Sequence, residues 1–165
     1  MTPASTTPRV VKAPARPIAA SATLATQLLG TLVFALAFYW VFRHRGYWPT
    51  NVAILSVGAI GVFAGGNAHR GSVRALVVAA LFDVAVVIAC FAKFSAVKAF
   101  VVAPVAWAAP KLVPFLPTIT ISAGILAVFA AAACVAAVPQ TLRFAAWRYE
   151  QLLQAVRTWG GATPR

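Results

Sequence analysis

Four long apolar runs, set apart by short clusters of arginine, lysine and proline, organise this chain. The first extends from about Ala20 to Phe42, ends in Phe38, Tyr39 and Trp40, and is followed by Arg43, His44 and Arg45. The second covers roughly Tyr47 to Gly66 and opens with Tyr47, Trp48 and Pro49. The third, about Val73 to Ala92, lies between Arg70 and Arg74 on one side and Lys93 and Lys98 on the other. The fourth covers Thr118 to Val138, between Pro117 and Pro139. As a helix rising 1.5 Å per residue, a run of about 20 residues crosses a hydrocarbon core of about 30 Å. Aromatic residues followed by arginines mark a membrane interface, and Pro49 suits a first helical turn, where no N–H is needed. The pattern predicts an all-α membrane protein with four transmembrane helices.

The first run is too long for a cleaved signal peptide, and bulky aromatics stand where small cleavage-site residues belong. It is expected to stay as a signal-anchor helix. Before it, residues 1–17 carry Pro3, Pro8, Pro14 and Pro17 with Arg9, Lys12 and Arg16, which predicts a disordered basic tail. The membrane domain then spans 18–138, and residues 139–165 form a third section.

Two stretches depart from the simple span pattern. Between the third and fourth runs, residues 99–117 are apolar but hold Pro104, Pro110, Pro114 and Pro117. Proline at that density breaks a helix, while the apolarity argues against a solvated loop, so an interfacial or re-entrant segment is expected. After Pro139, Leu142, Ala145, Tyr149, Leu152, Val156 and Trp159 recur at spacings of three and four, with Arg143, Glu150, Gln154 and Arg157 largely opposite. This predicts a C-terminal amphipathic helix lying on a membrane or partner surface and ending at Gly160-Gly161.

Composition strengthens the membrane reading. The chain is 62% apolar and 10% charged, with a mean hydropathy of +0.87. A soluble domain carries about 25% charged residues. Fourteen Lys and Arg face two acids, Asp83 and Glu150, for a formal charge of +12. Cations placed between apolar runs belong with anionic lipid headgroups; a nucleic-acid partner would have only the tails to bind. With four crossings, nine Lys and Arg fall on the side of the termini and five on the other. The positive-inside rule then places both termini in the cytoplasm of a bacterial inner membrane.

Candidate chemistry is sparse. Asp83, at the midpoint of the third run, is the one ionisable residue inside a span. Such a group is costly in hydrocarbon unless paired or hydrated, and marks either an ion pathway or a hydrogen bond between helices. Ser56, Asn67, Thr120 and Ser122 are the candidate donors, and with no second buried acid the structural role is the expected one. Gly61 and Gly65, extended upstream by Ala53, form a small-residue stripe for helix packing. Cys90 and Cys134 lie inside apolar runs with no ligand-type neighbours and read as apolar packers, so no metal site and no cofactor is expected. His44 and His69 sit at helix ends as loop residues. No catalytic motif and no carboxylate pair occurs, which argues against an enzyme.

These features favour a structural or accessory subunit of a larger membrane assembly of secretion, conjugation or respiratory type. Its partners would be other integral membrane proteins or further copies of itself. The alternative is a small homo-oligomeric channel or transporter, holin-like or proton-linked, that uses Asp83.

Overall fold

A computed structural model describes residues 19–43 and 48–160. The basic tail 1–17, His44, Arg45, Tyr47 and residues 161–165 lie outside the described residues, as does the side chain of Trp159. Apart from short turns, the described chain is helical: α1 (Ala19–Arg43), α2 (Trp48–His69), α3 (Val73–Ala92), α4 (Phe94–Ala108), a 3-10 helix (Pro110–Phe115) and α5 (Leu116–Gly160). Four of these elements, α1, α2, α3 and the one ending in α5, are long and apolar enough to cross a membrane. At 15 residues, α4 is only about 22 Å long and falls short of the core thickness.

Helices α1, α2, α3 and α5 form a four-sided bundle in that order, with α5 closing back on α1. Its radial composition reverses that of a soluble protein. Most buried positions are small or polar, Ala37, Ala79, Ala127, Thr23, Thr26 and Asp83 among them. The outward faces carry large apolar side chains such as Leu28, Phe63, Leu81, Phe129 and Val135, each more than 60% exposed. In water that arrangement would leave an extensive apolar surface exposed; in lipid it is the expected one, because no hydrophobic force draws helices together and small residues permit close packing.

The tightest seam joins α1 to α2. A Cβ on Gly58 would lie 2.5 Å from the Phe34 backbone nitrogen, and one on Gly30 would lie 2.6 Å from that of Val62. One turn further, a Cβ on Gly65 would approach the Thr23 carbonyl to 2.8 Å. Gly61 supplies backbone to the Gly30 contact and also receives the ring of Phe82 from α3. Ala53 is exposed, so the seam continues through Gly58 rather than along the four-residue stripe expected from the sequence.

Proline is better tolerated than the sequence implies. Helix α4 runs through Pro104, although a proline leaves the carbonyl four residues earlier without its N–H. That carbonyl belongs to Phe100, and it accepts a hydrogen bond from the Trp40 indole N–H at 2.7 Å. The two rings also stack at 5.8 Å, so α1 repairs the defect in α4. Helix α5 likewise passes through Pro139 and reaches 45 residues. The expected break between a fourth span and a separate surface helix is therefore absent, and one rod of about 67 Å replaces the two elements.

Helix pairing fixes which ends coincide. Ala22 of α1, Ala64 and Ala68 of α2, Leu76 of α3 and Cys134 and Ala137 of α5 share one buried cluster. The start of α1, the Arg70–Arg74 turn and the Pro139 region therefore occupy one end of the bundle. At that end Gly71, with φ +89°, makes the turn and faces the ring of Phe144. The end of α1, the start of α2, α4 and the 3-10 helix occupy the other.

The seam predicts unequal costs for one substitution. Gly58→Leu should destabilise the protein by about 1–3 kcal/mol or more, since the facing atoms are backbone. Ala53→Leu, on an exposed position of the same helix, should change little. Unfolding titrations in mixed detergent would compare them, and equal sensitivity would refute the seam.

Candidate functional site

Asp83 is the eleventh of 20 residues in α3 and is fully buried. It faces the bundle interior on the α1–α3 diagonal, where Thr26 of α1 donates a hydrogen bond to its Oδ2 at 2.7 Å. Thr26 is also fully buried. Cys134 of α5 abuts the pair, its thiol beside the Thr26 hydroxyl and within electrostatic reach of Asp83. Three helices thus converge on one carboxyl group. None of the four donors expected from the sequence supplies the bond: Ser56 turns back to the Val52 carbonyl at 2.9 Å and Thr120 to that of Leu116 at 2.8 Å. Asn67 and Ser122 are exposed.

Thr26 was not among the donors expected from the sequence, which all lie on α2 and α5. The available signal was the spacing of Thr23, Thr26, Gly30 and Ala37, a polar and small stripe on one face of an otherwise bulky helix. All four are buried.

Hydrogen-bond counting constrains the chemistry. The Thr26 oxygen also lies 3.2 Å from the Ala22 carbonyl oxygen, yet a hydroxyl has one hydrogen for two acceptors. With an ionised carboxylate, Thr26 donates to Oδ2, the Ala22 contact is shared, and Oδ1 finds no partner among the described residues. With a protonated carboxyl, Asp83 donates to the Thr26 oxygen and Thr26 donates to Ala22, so both hydrogens are used, and Oδ1, still without a partner among the described residues, carries no charge. No cationic group among the described residues offsets a charge on Asp83, and an uncompensated charge in a dry interior is the costlier arrangement. The geometry suits a neutral clamp between helices.

Other candidate chemistry stays dispersed. Among the described residues no group of three His, Cys, Asp or Glu could hold a metal ion. Cys90 and Cys134 are free and buried. Cys90 packs near Gly124, ten residues and about 15 Å along α5 from Cys134, beyond disulfide reach. His69 is exposed at the end of α2. On α5, Leu142, Tyr149, Leu152 and Val156 are 52–67% exposed. Past Thr141 the side turned toward the bundle is instead marked by Phe144, Trp147 and Gln151, each half-buried.

No family model matches the chain, and no curated protein or solved structure matches it at a significant level.

Substitution separates the clamp from a titrating group. Asp83→Asn keeps a donor and an acceptor and should leave detergent stability nearly unchanged. Asp83→Leu and Thr26→Val should each lose on the order of 1 kcal/mol of helix association. Thermal unfolding in detergent would read this, and an Asn variant as unstable as the Leu variant would contradict the neutral clamp.

Proposed function

We propose that this chain is a non-enzymatic subunit of a larger bacterial inner-membrane assembly, anchored by its bundle and docked to partner proteins through the outer part of α5. The carrying observation is that α5 runs on past Pro139, for a further length of about 30 Å, with Leu142, Tyr149, Leu152 and Val156 exposed. Nothing in the described chain covers that side. Aromatic and apolar side chains flanked by Arg148 and Arg157 have the composition of a protein-docking surface. Because this segment continues a spanning helix, it suits a projecting partner contact better than a helix lying in the headgroup plane. The closed packing around Asp83 supports a scaffold role over chemistry.

Orientation follows from the same geometry. The start of α1, the Arg70–Arg74 turn and the α5 extension lie at one end, which also gathers most of the chain's cations. The positive-inside rule favours a cytoplasmic location for that end, and four crossings would bring both termini to it. Reporter fusions after Arg165 and at Gly46 should then report opposite sides; a periplasmic C-terminus would overturn the arrangement.

A second reading rests on the unpartnered Asp83 Oδ1: a small homo-oligomeric channel or transporter in which that carboxyl meets a proton or cation. Its sign would be flux through liposomes holding the purified protein alone, abolished by Asp83→Asn.

The docking reading is tested on α5. Leu152→Glu or Val156→Glu should weaken co-purification of partners in mild detergent by about tenfold or more, as for a buried interface residue. Arg157→Glu should matter less. Equal loss from both substitutions, or from neither, would remove the basis for a docking face.

A further inference from the structure

The geometry points to a binding site for one anionic phospholipid at the end of the bundle that carries α4, with an acyl chain in an apolar cavity and the phosphate between Arg43 and Lys93. The cavity has a volume of about 430 Å³, within the range of small-ligand sites, about 300–1,000 Å³. Its back is formed by α1 and α3, and its sides by Ile54 and Val57 of α2 and Val97 and Phe100 of α4. Among the described residues α2 and α4 do not approach each other, so the groove opens sideways between them. Every lining residue is apolar, which suits a hydrocarbon chain and not a polar solute.

Helical register places two cations over this groove. Val86, Ala89 and Cys90 line it from α3, and Lys93 follows at the next three-four step on that face. Lys93 also precedes the lining residues Ala96 and Val97 of α4 by three and four positions, so both stripes lead to it. On α1, Leu36 lines the groove and Arg43 lies two turns further along the same face. Arg43 and Lys93 are exposed. The chain's two acids lie elsewhere, Asp83 at the bundle centre and Glu150 on the projecting part of α5. From Phe82, the deepest lining residue on α3, to Lys93 is about 16 Å, half of a hydrocarbon core of about 30 Å. That is the depth of one leaflet.

Because the bilayer is as apolar as the cavity, a chain gains little by leaving one for the other. Selection must come from the headgroup, where a surface Lys or Arg favours an anionic lipid by about 1 kcal/mol, or roughly fivefold. The site is therefore specific for charge and permissive in the chain.

The test uses the full-length protein reconstituted in vesicles of equal phosphatidylglycerol and phosphatidylcholine, extracted in mild detergent and analysed by native mass spectrometry. Wild type should retain one phosphatidylglycerol, enriched at least fivefold over the zwitterionic lipid. Lys93→Gln and Arg43→Gln, both on exposed positions, should each cut that enrichment about fivefold without altering the melting temperature of the lipid-free protein. Ala89→Trp should fill the groove and remove the retained lipid. Retained lipid that mirrors the vesicle composition, or enrichment that survives the loss of both cations, would overturn the assignment.

Discussion

The fold depends on how closely two backbones approach where α1 crosses α2. In lipid there is no hydrophobic gain from bringing helices together, so association rests on packing and a few polar bonds. Gly30 and Gly58 present no side chain at that crossing, and backbone atoms of Val62 and Phe34 occupy the space a Cβ would need. Phe82 of α3 then packs its ring on Gly61, which transfers the register of the first pair to the second. The α3–α5 pair inherits it through the shared cluster of Leu76, Ala79, Cys134 and Ala137. Larger residues at the seam would move each later contact outward.

The same close approach explains why a carboxyl group is tolerated at mid-bilayer. With α1 and α3 near enough to meet diagonally, a short threonine side chain reaches Asp83, and the cost of an unpaired polar group in hydrocarbon falls. The bond also resists sliding. A shift of one turn toward the end of α1 would put Leu29 or Gly30 opposite the carboxyl and strand it. Small residues permit the approach, and the polar pair selects one register.

The spans were legible in the sequence because their ends carry strong physical signals: aromatics and arginines at the interface, prolines at first turns, basic residues in the connections. The third apolar run and α3 share the bounds Val73–Ala92. The partner of Asp83 was not legible, since periodicity places residues on a face but does not say which faces meet. Thr26 could be distinguished from Thr120 only by the three-dimensional diagonal. The Ala53 stripe failed for a related reason: the α1–α2 crossing follows spacings of three and four, from Gly58 to Gly61 to Gly65, while the stripe through Ala53 keeps to four. The prolines misled differently. Their cost is an orphaned carbonyl, and at Pro104 that carbonyl is satisfied by Trp40, 60 residues away, a compensation with no local trace.

The two ends of the bundle solve opposite problems. At the α4 end, Trp40 stacks on Phe100, Tyr39 lies 5.8 Å from Trp107, and the 3-10 helix folds the chain back into α5 within six residues. Polar termini of short helices are thereby kept among interfacial aromatics, where indole and phenol groups have both apolar surface and a hydrogen-bonding tip. At the other end the arginines of the α2–α3 turn lie beside the emerging α5, whose Phe144 packs on Gly71. A side chain at Gly71 would meet strain from its positive φ, so glycine keeps this turn tight where Phe144 of α5 packs against it. One end is packed with aromatics, and at the other α5 continues past Pro139 beside the basic α2–α3 turn.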